Sequence, residues 1–172
     1  VPDKQKTNEI TDYETCSETV INGAFSYSMD EPNVCVLDWA KWRWKGSAFS
    51  EEMEILKADR AVRDTIGLEY RGGLMLQPWF IKNQEKMKYG ELELEYEFEI
   101  EKLPESDVYL VGERPEWNTY LLNGVVLSCD NPDDYWIDDC FKKMQIPAGV
   151  LKLGKNKVNV VVEFAGTTNI EA

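Results

Sequence analysis

The sequence predicts an all-β domain, a jelly-roll β-sandwich with one surface helix. Three observations carry this. In residues 91–101, Leu92, Leu94, Tyr96, Phe98 and Ile100 alternate with six Glu residues. A period of two over that length means a half-buried antiparallel strand with an acidic outer face. Asn123-Gly124 stands between two apolar runs, a strong hairpin signal because both turn residues need positive φ. Only one segment, residues 51–66, has helical spacing, whereas a parallel βαβ fold needs a helix between successive strands.

The elements follow in order. Residues 1–18 are polar and read as a loose lead-in. Residues 19–172 read as one sandwich domain. Residues 20–27 form a weak strand interrupted by Gly23, and residues 33–44 a longer one. Both faces of that longer strand carry aromatic groups, which fits a strand between two layers or bent at a bulge. The helix over 51–66 takes Ser50 as N-cap and Gly67 as stop. Ile55, Ala58, Val62 and Ile66 form its apolar stripe, and Glu54, Lys57, Arg60, Arg63 and Asp64 its outer face. Residues 74–80 form a short apolar strand that Pro78 confines to an edge or end. Residues 108–111, 117–122, 125–128, 141–146 and 157–164 complete the set. Regularly spaced short strands of this kind are the pattern of a β-sandwich.

Composition narrows the function. The chain has 172 residues, with 19 Lys plus Arg against 32 Asp plus Glu, a formal net charge of −13. Such a chain is not expected to bind nucleic acid, which calls for a basic face. There is no His, which excludes Ser-His-Asp and Cys-His catalysis within the chain and His-ligated zinc. No apolar run approaches the ~18 residues of a membrane span. Cys16, Cys35, Cys129 and Cys140 contain no C-x2-C pair, so a zinc knuckle is not expected. Free buried thiols are the expected state, with Cys129 and Cys140 the first pair to check for a disulfide. The ends suggest a domain cut from a longer protein. Val1 replaces an initiator Met, and the chain stops where residues 169–171 begin a new strand. The compartment is open, with the periplasm or exterior favoured if the parent degrades polysaccharide.

Short motifs in the second half carry a resemblance. They are Leu121-Leu122-Asn123-Gly124-Val125-Val126, Asp134-Tyr135-Trp136-Ile137-Asp138, Phe141-Lys142-Lys143-Met144-Gln145-Ile146-Pro147 and Leu151-Lys152-Leu153-Gly154-Lys155-Asn156. This order resembles the galactose-binding-domain-like jelly rolls of bacterial glycoside hydrolases, similar to family 2 sugar-binding domains. In the first half, Asn33-Val34-Cys35-Val36-Leu37-Asp38-Trp39, the helix and Gln77-Pro78-Trp79 resemble proteins related to the rhamnosidases. The sequence departs from the family pattern at Tyr135-Trp136, where two Trp are expected, and it has no catalytic-domain motif. The resemblance implies a non-catalytic accessory or carbohydrate-binding module of a larger glycoside hydrolase. Its partner would be a carbohydrate or the neighbouring catalytic domain. The alternatives are a purely structural interdomain module and, last, a carboxylate-dependent glycosidase acting through Glu113 and Glu116.

Aromatic faces stack on the C–H faces of sugar rings. Trp79, Trp117, Tyr135 and Trp136 fall near loops, and Arg114 and Asn118 lie nearby as polar partners. Trp39, Trp42 and Trp44 read instead as core. No cofactor is required. A structural calcium is a possible addition at Asp130, Asp133 and Asp134, which offer hard oxygen ligands; the plainer reading of these residues is solvated charge and turn capping. The glutamate row of residues 91–101 reads as a solvated face with Lys or Arg opposite some of its carboxylates.

Overall fold

The computed structural model describes residues 19–31, 33–68, 89–113, 115–131 and 133–166. Contacts divide the chain into two units, Val1–Cys35 and Val36–Ala172. In the first, residues 19–31 and 33–35 form neither helix nor strand. Val20, Ile21, Phe25 and Tyr27 are exposed. The strand expected at 20–27 is therefore absent. Apolar residues alone do not hold a strand that has no ladder to join.

The second unit contains β1 (Trp39–Trp44), β2 (Met53–Glu54), α1 (Ile55–Ile66), β3 (Gly90–Ile100), β4 (Tyr109–Glu113), β5 (Asn118–Leu122), β6 (Val125–Leu127), β7 (Phe141–Gln145) and β8 (Gly154–Phe164). A 3-10 turn at Pro115–Trp117 joins β4 to β5. Six strands form one antiparallel sheet in the order β2-β1-β3-β8-β5-β6, and β4 pairs with β7 in a separate ribbon. The described residues are thus mostly antiparallel β with one helix, as the sequence predicts. The strand expected at 33–44 is shorter, because residues 33–38 lie outside it. The strand expected at 74–80 lies outside the described residues.

Period-two alternation sorts the large sheet into two faces. Leu94 pairs with Trp42 and Val160, and Val160 with Tyr120. These residues share the inner face with Ala40, Leu92, Tyr96, Val158 and Leu122, all buried in one core. Asn123 and Gly124 close the β5–β6 hairpin with φ of 49° and 83°, the left-handed values that its twist demands.

Two elements cover the inner face. The helix contributes Ile55, Ala58 and Val62, all buried. Burying such a Val or Ile side chain is worth about 1.5–3 kcal/mol. Its N-cap is Glu54, and not Ser50: the Glu54 carboxylate accepts from the N–H groups of Leu56 and Lys57 at 3.0 and 3.3 Å. Ser50 instead takes the Trp42 N–H at 3.0 Å, and Met53–Glu54 pairs with β1. Sheet pairing therefore delays the helix start. Gly67 ends the helix in the left-handed conformation, and Leu68 N–H closes on the Arg63 carbonyl at 2.9 Å. Arg63 is not on the outer face; it is 2% exposed. It donates to Asp59 at 2.8 Å, stacks 5.6 Å from the Phe164 ring centre and reaches the Gly166 carbonyl at 3.3 Å. A planar guanidinium can lie on an aromatic ring while its hydrogens find oxygen. This is how a charged residue flanking the apolar stripe becomes buried.

The β4–β7 ribbon is the second cover. Leu110 opposes Met144 and Gly112 opposes Lys142. Met144 is buried in the common core. A Cβ at Gly112 would stand 2.6 Å from the Tyr120 hydroxyl. Glycine is therefore required where the ribbon backbone crosses that ring.

The loop before β8 is held by amides. Buried Asn156 donates to the Lys152 and Gly154 carbonyls at 2.7 and 2.9 Å and accepts from Lys152 N–H at 2.9 Å. Asn123 donates to the Asn156 side chain and to the Val150 carbonyl, both at 2.8 Å. The hairpin turn and the loop before β8 are thereby tied into one polar network.

Candidate functional site: the outer face of the ribbon

The ribbon's inner face buries Met144 and Gly112, so its outer face carries the alternate residues. Tyr109 opposes Gln145, Val111 opposes Lys143, and Glu113 opposes Phe141. Residues directly opposite in an antiparallel pair share a face. Tyr109 is 41% exposed and Phe141 39%. Lys143 Nζ stands 5.6 Å from the Tyr109 ring centre and 2.9 Å from Asp134 Oδ1. The loop preceding β7 continues this strip. Lys143 N–H donates to the Asp134 carbonyl at 3.1 Å, and Trp136 N–H to the Phe141 carbonyl at 3.0 Å. Tyr135 bridges to Lys142 between these bonds and so falls on the other face of β7, the one Lys142 shares with Gly112. It is 48% exposed, with Lys142 Nζ 5.7 Å from its ring centre.

Of the residues the sequence singles out, Tyr135 and Trp136 are therefore brought beside β7. Trp136 is half-buried. Trp117 is 54% exposed on the 3-10 turn between β4 and β5. Asn118 opens β5 on the same side as Tyr120 and Leu122, half-buried toward the core. Trp79 and Arg114 lie outside the described residues. Sequence reading missed Tyr109 and Phe141. Their strands were legible, but only the β4–β7 register puts the two rings on one face. Of the three Trp residues expected in the core, Trp42 and Trp44 pack against it, and Trp39 is exposed.

Two carboxylates of the acidic loop have partners within the protein. Asp134 is engaged by Lys143, and Asp130 accepts from the Ser128 hydroxyl at 2.7 Å. Asp133 is exposed. Among the described residues no three of Asp, Glu, Cys or His stand together as metal ligands.

Titratable groups nearby are tuned by burial and neighbours. Burial first, then the Glu116 carboxylate, pushes the Cys129 thiol up. Burial and Asp138 push up that of Cys140. Both stay protonated near neutrality and are poor nucleophiles. Cys35, Cys129 and Cys140 are free thiols, and Cys16 lies outside the described residues. Tyr120 beneath the ribbon is pushed up to about 12, chiefly by burial and partly against the influence of Asn118. Among the described residues no group meets its hydroxyl at hydrogen-bonding geometry.

Two shallow hollows lie elsewhere. One, about 360 Å³, is lined by Leu37, Asp38, Glu54, Ile55, Leu56 and Tyr96 among others. The second, about 300 Å³, lies between β6 and the end of β7, lined by Val126, Leu127, Ser128, Asp130, Gln145 and Pro147. Neither is lined by Glu113 or Glu116. No model of a known protein family, curated protein or solved structure matches the chain.

Proposed function

We propose that the chain is a non-catalytic accessory module of a glycoside hydrolase, with a carbohydrate-binding face on a jelly-roll sandwich of the galactose-binding-domain-like kind. The observation that carries the reading is the exposure of Tyr109 and Phe141 on the outer face of a polar ribbon that also presents Lys143, Asp134 and Gln145. Aromatic rings left half open to water beside hydrogen-bonding groups suit sugar rings, whose C–H faces stack and whose hydroxyls need partners. Two further features support a binding role over a hydrolytic one. Neither hollow is lined by the Tyr109 and Phe141 rings, and neither is lined by the Glu113–Glu116 pair. Affinity would be weak, about 0.1–10 mM or about −3 to −5 kcal/mol, because each hydrogen bond to a well-hydrated hydroxyl nets little.

A second reading rests on a separate observation. Val125, Val126 and Leu153 are exposed, and β6 is a sheet edge. An apolar edge of this kind is what an interdomain module would turn toward a catalytic neighbour. The two readings separate in one experiment. A panel of plant and host glycans is titrated into the folded protein, following Trp fluorescence and amide shifts. Saturable changes at residues of β4, β7 and the 133–140 loop support the binding role. No perturbation at tens of millimolar sugar removes it and leaves the structural one.

A further inference from the structure

We infer that the ligand of this module is a neutral glycan chain of several residues, laid along the outer face of the β4–β7 ribbon, and not a single sugar held at the loop end. The inference rests on the carbohydrate reading above and names its ligand class.

The spacing of the rings carries the argument. Tyr109 lies at one end of the ribbon and Phe141, opposite Glu113, at the other. Four residues of antiparallel strand separate the two positions, roughly 14 Å along the face. Both rings are on the outer side, because Leu110, Gly112 and Met144 take the inner one. One pyranose can stack on one ring only. A chain of several can reach both, and it passes the Lys143–Asp134 pair on the way. Trp136, held beside Phe141 by its N–H, extends the strip at that end. Each aromatic contact would add a stacking surface. Affinity should therefore climb with chain length until both rings are engaged.

Charge selects the class of chain. Among the described residues the outer face holds one cation, Lys143, which Asp134 already balances at 2.9 Å. Glu113 adds a further carboxylate on the same face. The whole chain carries −13. A polyuronate would approach against that field, and the described cation of this face is already paired. A neutral glycan meets no such barrier, and the carboxylates and Gln145 can accept from or donate to its hydroxyls.

The test uses the full chain and four neutral oligosaccharide series (cello-, xylo-, manno- and galacto-), each from one to six residues, with oligogalacturonate of matched length. Dissociation constants are read from Trp fluorescence and amide shifts. In the series that binds, affinity should rise at least tenfold from monosaccharide to hexasaccharide. Tyr109→Ala and Phe141→Ala should each weaken the hexasaccharide at least fivefold and the monosaccharide less than twofold to threefold. Circular dichroism and melting establish that both variants fold. Equal affinity for one and six residues overturns the extended-chain inference and leaves the carbohydrate reading standing. Loss of binding in Trp117→Ala, with Tyr109→Ala and Phe141→Ala unaffected, also overturns it and moves the site to the 3-10 turn. Tighter binding of oligogalacturonate than of the neutral chains overturns the charge argument. Absence of binding to every series removes the carbohydrate reading itself.

Discussion

Two strand surfaces of this protein face outward, and they are built oppositely. On the large sheet, the outer face of β1, β3 and β8 is a closed charge lattice. Glu95 is 8% exposed. Lys41 reaches it at 3.6 Å from one side and Lys157 at 2.9 Å from the other. Both lysines also reach Glu97, at 3.3 and 3.7 Å. Glu93 accepts from Arg43 Nε at 2.7 Å and from Asn159 at 3.2 Å, and Arg43 lies over the Phe49 ring at 4.7 Å. Hydrogen bonding to Glu97 holds Lys41 above its ordinary value, and the same bond holds Glu97 below its own. On the ribbon's outer face, by contrast, the described residues form one ion pair, Lys143 with Asp134, beside the half-open rings of Tyr109 and Phe141. The difference teaches that abundance of charge does not mark a site. Charges that satisfy one another across strands leave few groups unpaired, whereas the ribbon keeps rings half open to water beside polar groups.

The largest effect should come from breaking the ribbon's seat. Gly112→Val puts a branched side chain where even a Cβ would stand 2.6 Å from the Tyr120 hydroxyl. A loss of about 3 kcal/mol or more is expected in urea unfolding, because ring and backbone cannot both stay. The outer sheet lattice should persist in amide-exchange protection of β3 and β8 while β4 and β7 lose theirs.

Raising pH should come next. Tyr120 titrates near 10 when unfolded and about 12 when folded. A raised folded value means stability fully present below pH 10 and lost as pH climbs toward 12. The loss is about 2–3 kcal/mol. Lys41, also raised by its carboxylate partner, adds a smaller loss in the same direction. Tyr120→Phe should flatten the Tyr120 share of this fall in melting temperature between pH 10 and 12 and be nearly neutral at pH 7. If the alkaline fall is unchanged in that variant, the ribbon does not bury this hydroxyl.

The smallest effect belongs to the lattice. Glu95→Gln should cost about 1–2 kcal/mol. The change removes a charge shared by two lysines, but their side chains remain 31% and 43% exposed and can turn to water. High salt should shrink the difference between wild type and variant in thermal unfolding. An effect above that of Gly112→Val would mean that the lattice, and not the inner core, holds the sheet together.

The elements that were legible are those whose signal is local. The β3 alternation was correct in register: Leu92, Leu94 and Tyr96 are buried, while Phe98 and Ile100 are half-buried near the strand end. The expected Lys and Arg partners of the glutamates stand opposite them on β1 and β8. The helix stripe buries Ile55, Ala58 and Val62 and half-buries Ile66, and Gly67 is the stop. Glu54 as cap, Arg63 as a buried group and Glu95 as a buried carboxylate were not legible, because each depends on which neighbour packs against it. The candidate site was legible only in part. Tyr135 and Trp136 stand out as aromatic groups in an acidic loop, whereas Tyr109 and Phe141 sit in ordinary-looking strands.

The sequence by itself determined the β class, the hairpin turn, the helix face and the inward side of β3. Periodicity and turn chemistry act within a few residues, so the covalent order contains them. Only the tertiary structure decided that β4 and β7 leave the large sheet to form their own ribbon. Antiparallel pairing can join any two strands of matching pattern, and the alternation of β4 and β7 fits either arrangement. Packing chose between them. Gly112 lets the ribbon backbone rest on Tyr120, Met144 fills the core beside it, and the residues left on the far side become the open aromatic face.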